Sequence, residues 1–570
     1  MTVFQNLNTF NKRIRYLVPL RYRSKNVSFI IILMSAAMDN FNIGGSMSLF
    51  DSLTSHFHSN TITTSWALSA YALTLGSFIM LFGKLTDILG PEKVFISGLF
   101  TISLLSLITA LINHQIIVLI VFRSLQGIAA ATLIPSAYAI ASCYYTGDQL
   151  GKAIRGLIMA LVSILGLGLI IGGAFDITKI GYKGFYFLNF GLSGLSAIYL
   201  YLSIYPFERS QKSKNLKLKN LDFLGSFSIV IGIVLIILGL TQGGSSWQKA
   251  SAYVPIIVGI VVVITALIFE MYYIEGYKLK IKKLLEETQN GELSKEIAVN
   301  DYIYNLQILF PREALHIPNF LLLASATALI YLSYITLMTS MVKYYQYVEI
   351  ESSFLASLKY FPFPIGMTTG ALIYREKIAY KIGMKKVLLF SLTISIGACV
   401  WISFHNFEIK NSYWKFEFVP LLIWGYSANL HFNIYLPAIM RRTPLHLQGV
   451  VSGLLQTLNE VTIAIGVAIV STLTGDMEKR PDDLSYRKSL HKKFKGSQWL
   501  SLAALGIAFI LMSFIENQTT AGGKTEEIVE EGGQPEEHGE HGEHGEHGEP
   551  EQREQRDNEE TEEYLLRELV

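Results

Sequence analysis

The 570-residue chain is 51% hydrophobic and only 16% charged, far below the roughly 25% charged residues of an average soluble domain, which excludes a soluble globular protein and points to a polytopic membrane protein. Its formal charge of +2 joins two unlike parts: from Lys524 onward 18 acidic side chains face 4 basic ones, a net of −14, so residues 1–523 carry +16. Two cysteines, Cys143 and Cys399, exclude a disulfide framework or a cysteine metal centre, and the first apolar run, starting near Val27, continues too far for a cleavable signal peptide.

Residues 1–26 hold Lys12, Arg13, Arg15, Arg21, Arg23 and Lys25 without an acid, so the positive-inside rule predicts a cytosolic N-terminus. Apolar runs follow near 27–49, 65–83, 94–112, 116–141, 153–175 and 185–206, of the length that crosses a bilayer, about 20 residues. They predict an N-terminal six-helix bundle over 27–206. A basic cytosolic connector, 207–221, carries Arg209, Lys212, Lys214, Lys217 and Lys219. Two additional spans within 222–274, near 222–241 and 252–274, return the chain to the same side. The cytosolic loop 275–314 opens with Lys278, Lys280, Lys282 and Lys283 and goes on to Glu286, Glu287, Glu292 and Glu296. Its Ile281, Leu284, Leu285 and Leu293 suit an amphipathic helix on the inner leaflet; a solvated linker is the alternative.

Further runs near 316–340, 353–374, 386–404, 416–440, 446–474 and 498–515 predict a C-terminal six-helix bundle over 315–517. The expectation is an all-α polytopic membrane protein of fourteen spans, two six-helix bundles plus two extra helices, with both termini inside. Arg375, Lys377, Lys381, Lys385, Lys386, Arg441 and Arg442 support that orientation. The loop 476–496 opposes it, being placed outside yet carrying Arg480, Arg487, Lys488, Lys492, Lys493 and Lys495; a count of twelve or thirteen spans stays open. The tail, 518–570, is too polar to bury a core. In it His538, His541, His544 and His547 recur every third residue, either as a weak Zn or Cu pattern or as part of a glycine-broken acidic tail.

Neither a P-loop nor a hydrolytic motif is present, so no enzyme and no ATP-driven pump is expected. Ionisable residues at membrane depth are costly and mark solute or proton paths. Asp39 lies midway along the first run in Met38-Asp39-Asn40-Phe41-Asn42, as a proton carrier or as a packing carboxylate bonded to Ser35, Asn40 or Asn42. Glu460 lies mid-run in the thirteenth, with Gln456 one turn earlier on the same face and Asn459 beside it. Asn429, His431 and Asn433 alternate along the twelfth run, and helical residues two apart do not share a face, so only part of this set lines a common cavity. An imidazole such as that of His431 ordinarily titrates near neutrality. Phe41, Trp66, Tyr71, Tyr138, Trp424 and Tyr426 suit an apolar, aromatic binding surface.

Three stretches carry a family resemblance. Gly83-Lys84-Leu85-Thr86-Asp87-Ile88-Leu89-Gly90-Pro91-Glu92-Lys93 joins the second and third runs; Gly83 permits close helix approach, Gly90 a positive φ, and Asp87 a place near a helix N-terminus. It resembles the cytosolic signature loop after the second helix of major facilitator superfamily transporters, with Glu92 where a basic residue is usual. Arg123-Ser124-Leu125-Gln126-Gly127, followed by Pro135-Ser136, resembles the superfamily's fourth-helix motif, whose arginine is implied to tune a nearby proton site. Gly166-Leu167-Gly168-Leu169-Ile170-Ile171-Gly172-Gly173 is similar to the end of its antiporter motif, with Leu169 in the place of proline; Gly168, Gly172 and Gly173 suit close helix packing in lipid.

The fourteen runs resemble the drug:proton antiporters. Leu221-Asp222-Phe223-Leu224-Gly225-Ser226, Gly239-Leu240-Thr241-Gln242-Gly243 through Trp247, Pro444 through Gln448-Gly449-Val450, and Lys495-Gly496 resemble their fungal aminotriazole-resistance branch. Asn429 departs from that branch, which tends to an acid there, as do Gln456 and Glu460, where it tends to asparagines. The proton-coupling candidates are Asp39, Arg123, Glu460 and His431, and the conformational switch is Gly83, Asp87, Gly90 and Lys93. The substrate-cavity candidates are Asn42, Gln126, Asn429, Asn433, Gln456, Trp424 and Tyr426. The expected function is proton-coupled export of a small toxic compound or drug by alternating access. An uncoupled facilitator of ammonium or borate is the second reading, and a non-transporting sensor acting through its tail the third. The expected partners are the lipid bilayer, a small-molecule substrate and protons, without nucleic acid, cofactor or resident metal, in a monomer. Branch association sets the plasma membrane ahead of the vacuolar membrane.

Overall fold

The structure, a computed structural model, describes residues 19, 23–205, 222–243, 246–287, 302–306, 312–440, 442–443 and 448–515. The predicted connector, residues 288–301 and 307–311 of the 275–314 loop, Pro444 and the His-bearing tail lie outside them. Every regular element among the described residues is helical.

The first run forms three consecutive pieces, α1 (Lys25–Ala36), α2 (Met38–Ser48) and α3 (Phe50–His56), and α1 starts where the Ser24 hydroxyl accepts from the Val27 amide. Helix α4 (Thr61–Leu89) is capped by Asn60 and ends at Gly90, whose φ of +98° is open to glycine at little cost. Pro91 then opens α5 (Pro91–Leu111) at a position where its missing N–H costs nothing. The predicted loop is therefore almost wholly helix. Asp87 lies in the last turn of α4 and not at the N-terminus of α5, whose first turn holds Glu92 instead.

The fourth run breaks into α6 (Ile116–Ala130) and α7 (Leu133–Tyr144), because Pro135 has no N–H for the Ala131 carbonyl and crowds it. Helices α8 (Gly147–Asp176) and α9 (Tyr182–Ser203) complete the first half. Helices α10 (Phe223–Gly243) and α11 (Ala250–Ile268) form a close pair; a Cβ on Gly259 would lie 2.5 Å from the Gly232 carbonyl oxygen. A π-helical turn, Phe269–Ile274, carries α11 into α12 (Glu275–Glu287). The helix expected on the inner leaflet is thus the continuation of a span.

The second half contains α13 (Phe320–Tyr347), α14 (Ser353–Tyr360), α15 (Pro362–Ile373), α16 (Glu376–Ile382), α17 (Met384–Ile402), α18 (Phe418–Met440), α19 (Gln448–Thr474) and α20 (Leu484–Ser513). Among the described residues twelve helices are long and apolar enough to cross a membrane, so the fourteen expected spans are not confirmed. The two runs outside that number have local reasons. Pro362 and Pro364 break 353–374 into α14 and α15, of 8 and 12 residues, and α18, though one continuous helix, is made less apolar by Asn429, His431 and Asn433.

Packing gathers α2 on α8, α4 on α6 and α5 on α9 in the first half, and α13 on α19 and α20 with α15 and α17 on α18 in the second. The halves meet where α4 packs on α19 and where α8 packs on α14 and α15, and α10 leans on α4 and α19. The fifth-run glycines lie in these contacts. A Cβ on Gly168 would stand 2.4 Å from the Phe41 carbonyl oxygen, one on Gly172 2.7 Å from the Gly45 Cα, and one on Gly173 2.8 Å from the Ser353 carbonyl oxygen. Gly83 differs from its expectation: its Cβ would meet only Pro135, at an ordinary 3.8 Å. The basic stretch 476–496 is largely helix and partnered. Lys479 pairs with Asp51 at 2.6 Å and Lys488 with Glu408 at 2.9 Å, while Arg487 donates to the Val348 carbonyl at 2.8 Å and Lys493 to that of Thr474 at 2.9 Å.

Candidate functional site

Arg123, two turns into α6, has no exposed surface. Its Nε donates to the Ala67 carbonyl at 3.1 Å, and its Nη1 to Gln126 Oε1 at 2.8 Å and to Asn42 Oδ1 at 3.4 Å. The guanidinium lies 4.2 Å from the centroid of the Tyr71 ring, and the Tyr71 hydroxyl donates to Asp39 Oδ1 at 2.7 Å. Tyr71, and not a direct ion pair, therefore links the carboxylate of α2 to the arginine of α6. Asp39 Oδ2 and Arg123 Nη2 have no hydrogen-bond partner. An outer shell fixes the network: Asn42 donates to Asn189 Oδ1 at 3.2 Å, and Gln126 to Ser106 and Thr109, each at 3.2 Å.

Glu460 faces this network from the other half. It is 3% exposed, its Oε1 accepts from Gln456 at 2.9 Å, and its Oε2 has no partner. The close crossing of α4 and α19 occurs at its level, since a Cβ on Gly76 would lie 2.7 Å from the Glu460 Cβ. Asp39 and Glu460 stand within electrostatic reach of each other, and Tyr71 within reach of both.

A cavity of about 680 Å³ opens beside these groups, lined by Lys84, Asp87, Tyr138, Asn433, Tyr435 and Gln456 among others. It extends from the end of α4, which the charge rule assigns to the cytosol, to Gln456, one helical turn from Glu460. The opposite end is tied shut across the halves. Ser48 Oγ lies 2.8 Å from Ser357 Oγ, Gln346 donates to the Ser48 carbonyl at 3.2 Å, and the Thr61 amide and hydroxyl both donate to Asp476 at 2.8 Å. Beyond that seal burial raises the Glu349 carboxyl above the ordinary range, with Lys359 at 2.6 Å pulling the other way.

The remaining sequence candidates separate by position. Of the substrate-cavity set, Asn433 and Gln456 line the cavity, whereas Asn42 and Gln126 are absorbed by the Arg123 network. Asn429 accepts from Asn433 at 2.6 Å and packs on Gly370 of α15. Trp424 is buried edge-on to Phe363, with centroids 4.9 Å apart, and the Tyr426 backbone abuts Gly366 and Gly370. His431 turns to α13, its Nε2 3.1 Å from Thr327 Oγ1 and its ring stacked on Tyr435. In the switch stretch, Gly83 and Asp87 line the cavity, and Lys93 is exposed in the first turn of α5. Sequence reasoning passed over Tyr435, whose hydroxyl accepts from Asn459 at 3.1 Å, and Tyr331, which lies within electrostatic reach of Glu460. No local spacing marks them, because α18 and α13 deliver them from distant chain positions.

An all-helical membrane protein whose halves meet around a one-sided cavity, with ionisable side chains buried where α4 crosses α19, is built as a transporter and not as an enzyme. The Major Facilitator Superfamily profile matches residues 29–467, and the chain belongs to that superfamily. It is 28% identical over 204 residues to the multidrug transporter protein MdtP of Bacillus subtilis, covering 35% of this chain and 36% of that one. It is 25% identical over 504 residues to the low affinity ammonium transporter of Saccharomyces cerevisiae, 84% of this chain and 87% of that one. The aminotriazole resistance protein of the same yeast is 25% identical over 259 residues, 44% of this chain and 47% of that one. A solved structure of a proton dependent oligopeptide transporter superposes with a TM-score of 0.54 at 14% identity, covering 86% of this chain and 98% of that one, a likeness of fold.

Proposed function

We propose that the protein exports a small toxic compound or drug against a proton flux by alternating access. The Asp39–Tyr71–Arg123 arrangement, with Glu460 linked to the cavity wall through Gln456, carries this reading: two carboxylates, each with one oxygen unpartnered, lie within electrostatic reach of each other across the halves. In the described arrangement solute reaches Asn433, Gln456, Tyr138 and Tyr435 from the cytosolic end. Parting of the Ser48–Ser357 and Thr61–Asp476 contacts opens the other end and gives Asp39 and Glu460 access to outside protons. A neutralised carboxyl tolerates the apolar surroundings on the return, and Arg123, through the Tyr71 ring, favours the anion once the proton leaves inward. The names of the multidrug and aminotriazole relatives support toxic compounds as cargo. The proposed organisation keeps 27–206 and 315–517 as the moving halves of a monomer, with cytosolic termini, in the plasma membrane.

Solute-induced proton flux in proteoliposomes, scanned with cationic drugs, aminotriazole, borate and ammonium, tests this. Proton movement opposite to a solute is expected, and it should vanish in Asp39→Asn and Glu460→Gln; unchanged coupling in both variants removes the assignment. Solute flux without protons establishes the second reading, a facilitator of a small polar solute, which the match along most of the low affinity ammonium transporter favours.

A further inference from the structure

Lys343 lies on the seam between the halves, beneath the outer seal. Helix α13 runs from Tyr331 and Tyr334, within electrostatic reach of Glu460, to Gln346, which donates to the Ser48 carbonyl of the other half. Lys343 stands one turn before Gln346. Its Nζ is 3.9 Å from the centroid of the Phe50 ring. It shares the wall of a small, almost wholly apolar space with Met47, Ser65 and Leu68 of the first half and with Thr339 and Val467 of the second. Its burial, to 4% exposure, is thus completed by the opposite half.

Among the described residues no charged group offsets the burial of this ammonium. A ring face attracts a cation but supplies no countercharge. Held charged, the ammonium gives up its hydration for a poor substitute; held neutral, it must release a proton that a lysine amine, of ordinary pKa about 10.4, keeps at neutral pH. Either way the cost falls on the closed seam. The hydroxyls of Thr336, Thr339 and Ser340, within two turns of Lys343 on the same helix, add to it, being buried without a hydrogen-bond partner.

We propose that Lys343 keeps the closed outer seam metastable: its amine, buried there without a countercharge, regains water when the halves part, so the residue favours outward opening. The cost belongs to the closed arrangement alone, because the side chains that exclude water come from both halves. The Phe50 ring moderates that cost and thereby sets how firmly the seam stays shut. This rests on the alternating access proposed above and is independent of proton coupling.

Double electron–electron resonance on the purified full-length protein in lipid nanodiscs tests this. Spin labels go on Lys179→Cys and Lys410→Cys, exposed positions at the outer end of different halves, with exposed Cys143 replaced. Two distance populations are expected, the longer being open to the outside. Lys343→Met keeps the length of the side chain and removes its charge; it should reduce the longer population several-fold and raise Tm, as apolar replacement of a buried charge often stabilises. Phe50→Leu should enlarge the longer population, and by less in the presence of Lys343→Met, since contacting residues couple. An unchanged or enlarged longer population in Lys343→Met overturns the proposal. Failure of Lys343→Met to fold overturns it too, because the apolar side chain is required to stabilise the closed molecule. A single short distance in the wild type and every variant would instead remove outward opening at this seam, and this inference with it. A shifted balance without proton counterflow leaves the inference standing and removes only the coupling.

Discussion

Tyr71 serves a different partner at each end, its hydroxyl held by Asp39 and its ring lying under Arg123. Tyr71→Phe separates the two, keeping the ring and removing the donor. Since a buried acceptor left without its donor costs ~1–3 kcal/mol, the variant should fold with a lower Tm. Its solute-driven proton flux should fall while solute binding persists; equal flux in wild type and variant would discard Tyr71 as the link. At the outer end His405 is fully buried, its Nδ1 2.8 Å from the Ile402 carbonyl oxygen and the Tyr344 ring edge-on at 4.5 Å. Burial pushes its imidazole from 6.5 down to about 3. The folded value lies below the unfolded one, so the stability tied to the neutral ring is complete above pH 6.5 and lost as pH falls toward 3. Tm should decline through that window in the wild type and less steeply in His405→Gln, as measured by unfolding at stepped pH.

At the scale of elements, glycine decides how closely α2 and α8 approach. The Gly172 position has the Gly45 backbone 2.7 Å from where a Cβ would be, whereas Gly191 of α9 has nothing within 4 Å. Gly172→Leu should therefore wedge the pair apart and cost at least ~1–3 kcal/mol, the usual penalty of overpacking. Gly191→Ala should be neutral or stabilising by up to ~1 kcal/mol, from helix propensity. Thermal unfolding of both variants in one detergent makes the comparison, and equal Tm values would count against close packing at Gly172. Leu169, standing where the related motif has proline, leaves α8 uninterrupted from Gly147 to Asp176, so the approach is made by the small residues without a kink.

For the whole molecule, the outer seal and inner cavity define a one-sided arrangement. Ser48 and Ser357 belong to different halves and their hydroxyl oxygens are 2.8 Å apart, so a Ser48→Cys/Ser357→Cys pair should oxidise readily. With exposed Cys143 replaced, oxidation should stop solute flux and a reductant restore it. Full flux through completely crosslinked protein would rule out outward opening at this seam. The seal also accounts for the basic stretch that opposed the charge rule: Lys479 is held by Asp51, and Arg487 and Lys493 by main-chain carbonyls at the same end.

Helical membrane character, the superfamily motifs and the position of Asp39, Arg123 and Glu460 within apolar runs were legible in the sequence, because run length and a charge within an apolar run are local properties of the chain. Gly90 was legible for the same reason, as a backbone angle is local. Other matters were decided only by the tertiary structure. Which oxygen meets which donor depends on helices brought together from afar, so Tyr71 as the link, Asn189 as the outer support and Tyr435 on the cavity wall have no signature in spacing. The faces of α18 were settled by its neighbours, α13 taking His431 and the cavity Asn433. The length of α13 was likewise decided by packing: the apolar run ends near residue 340, whereas the helix continues to Tyr347. That Lys343, in this extension, is buried with the Phe50 ring 3.9 Å from its ammonium is a property of the packed molecule and not of the chain.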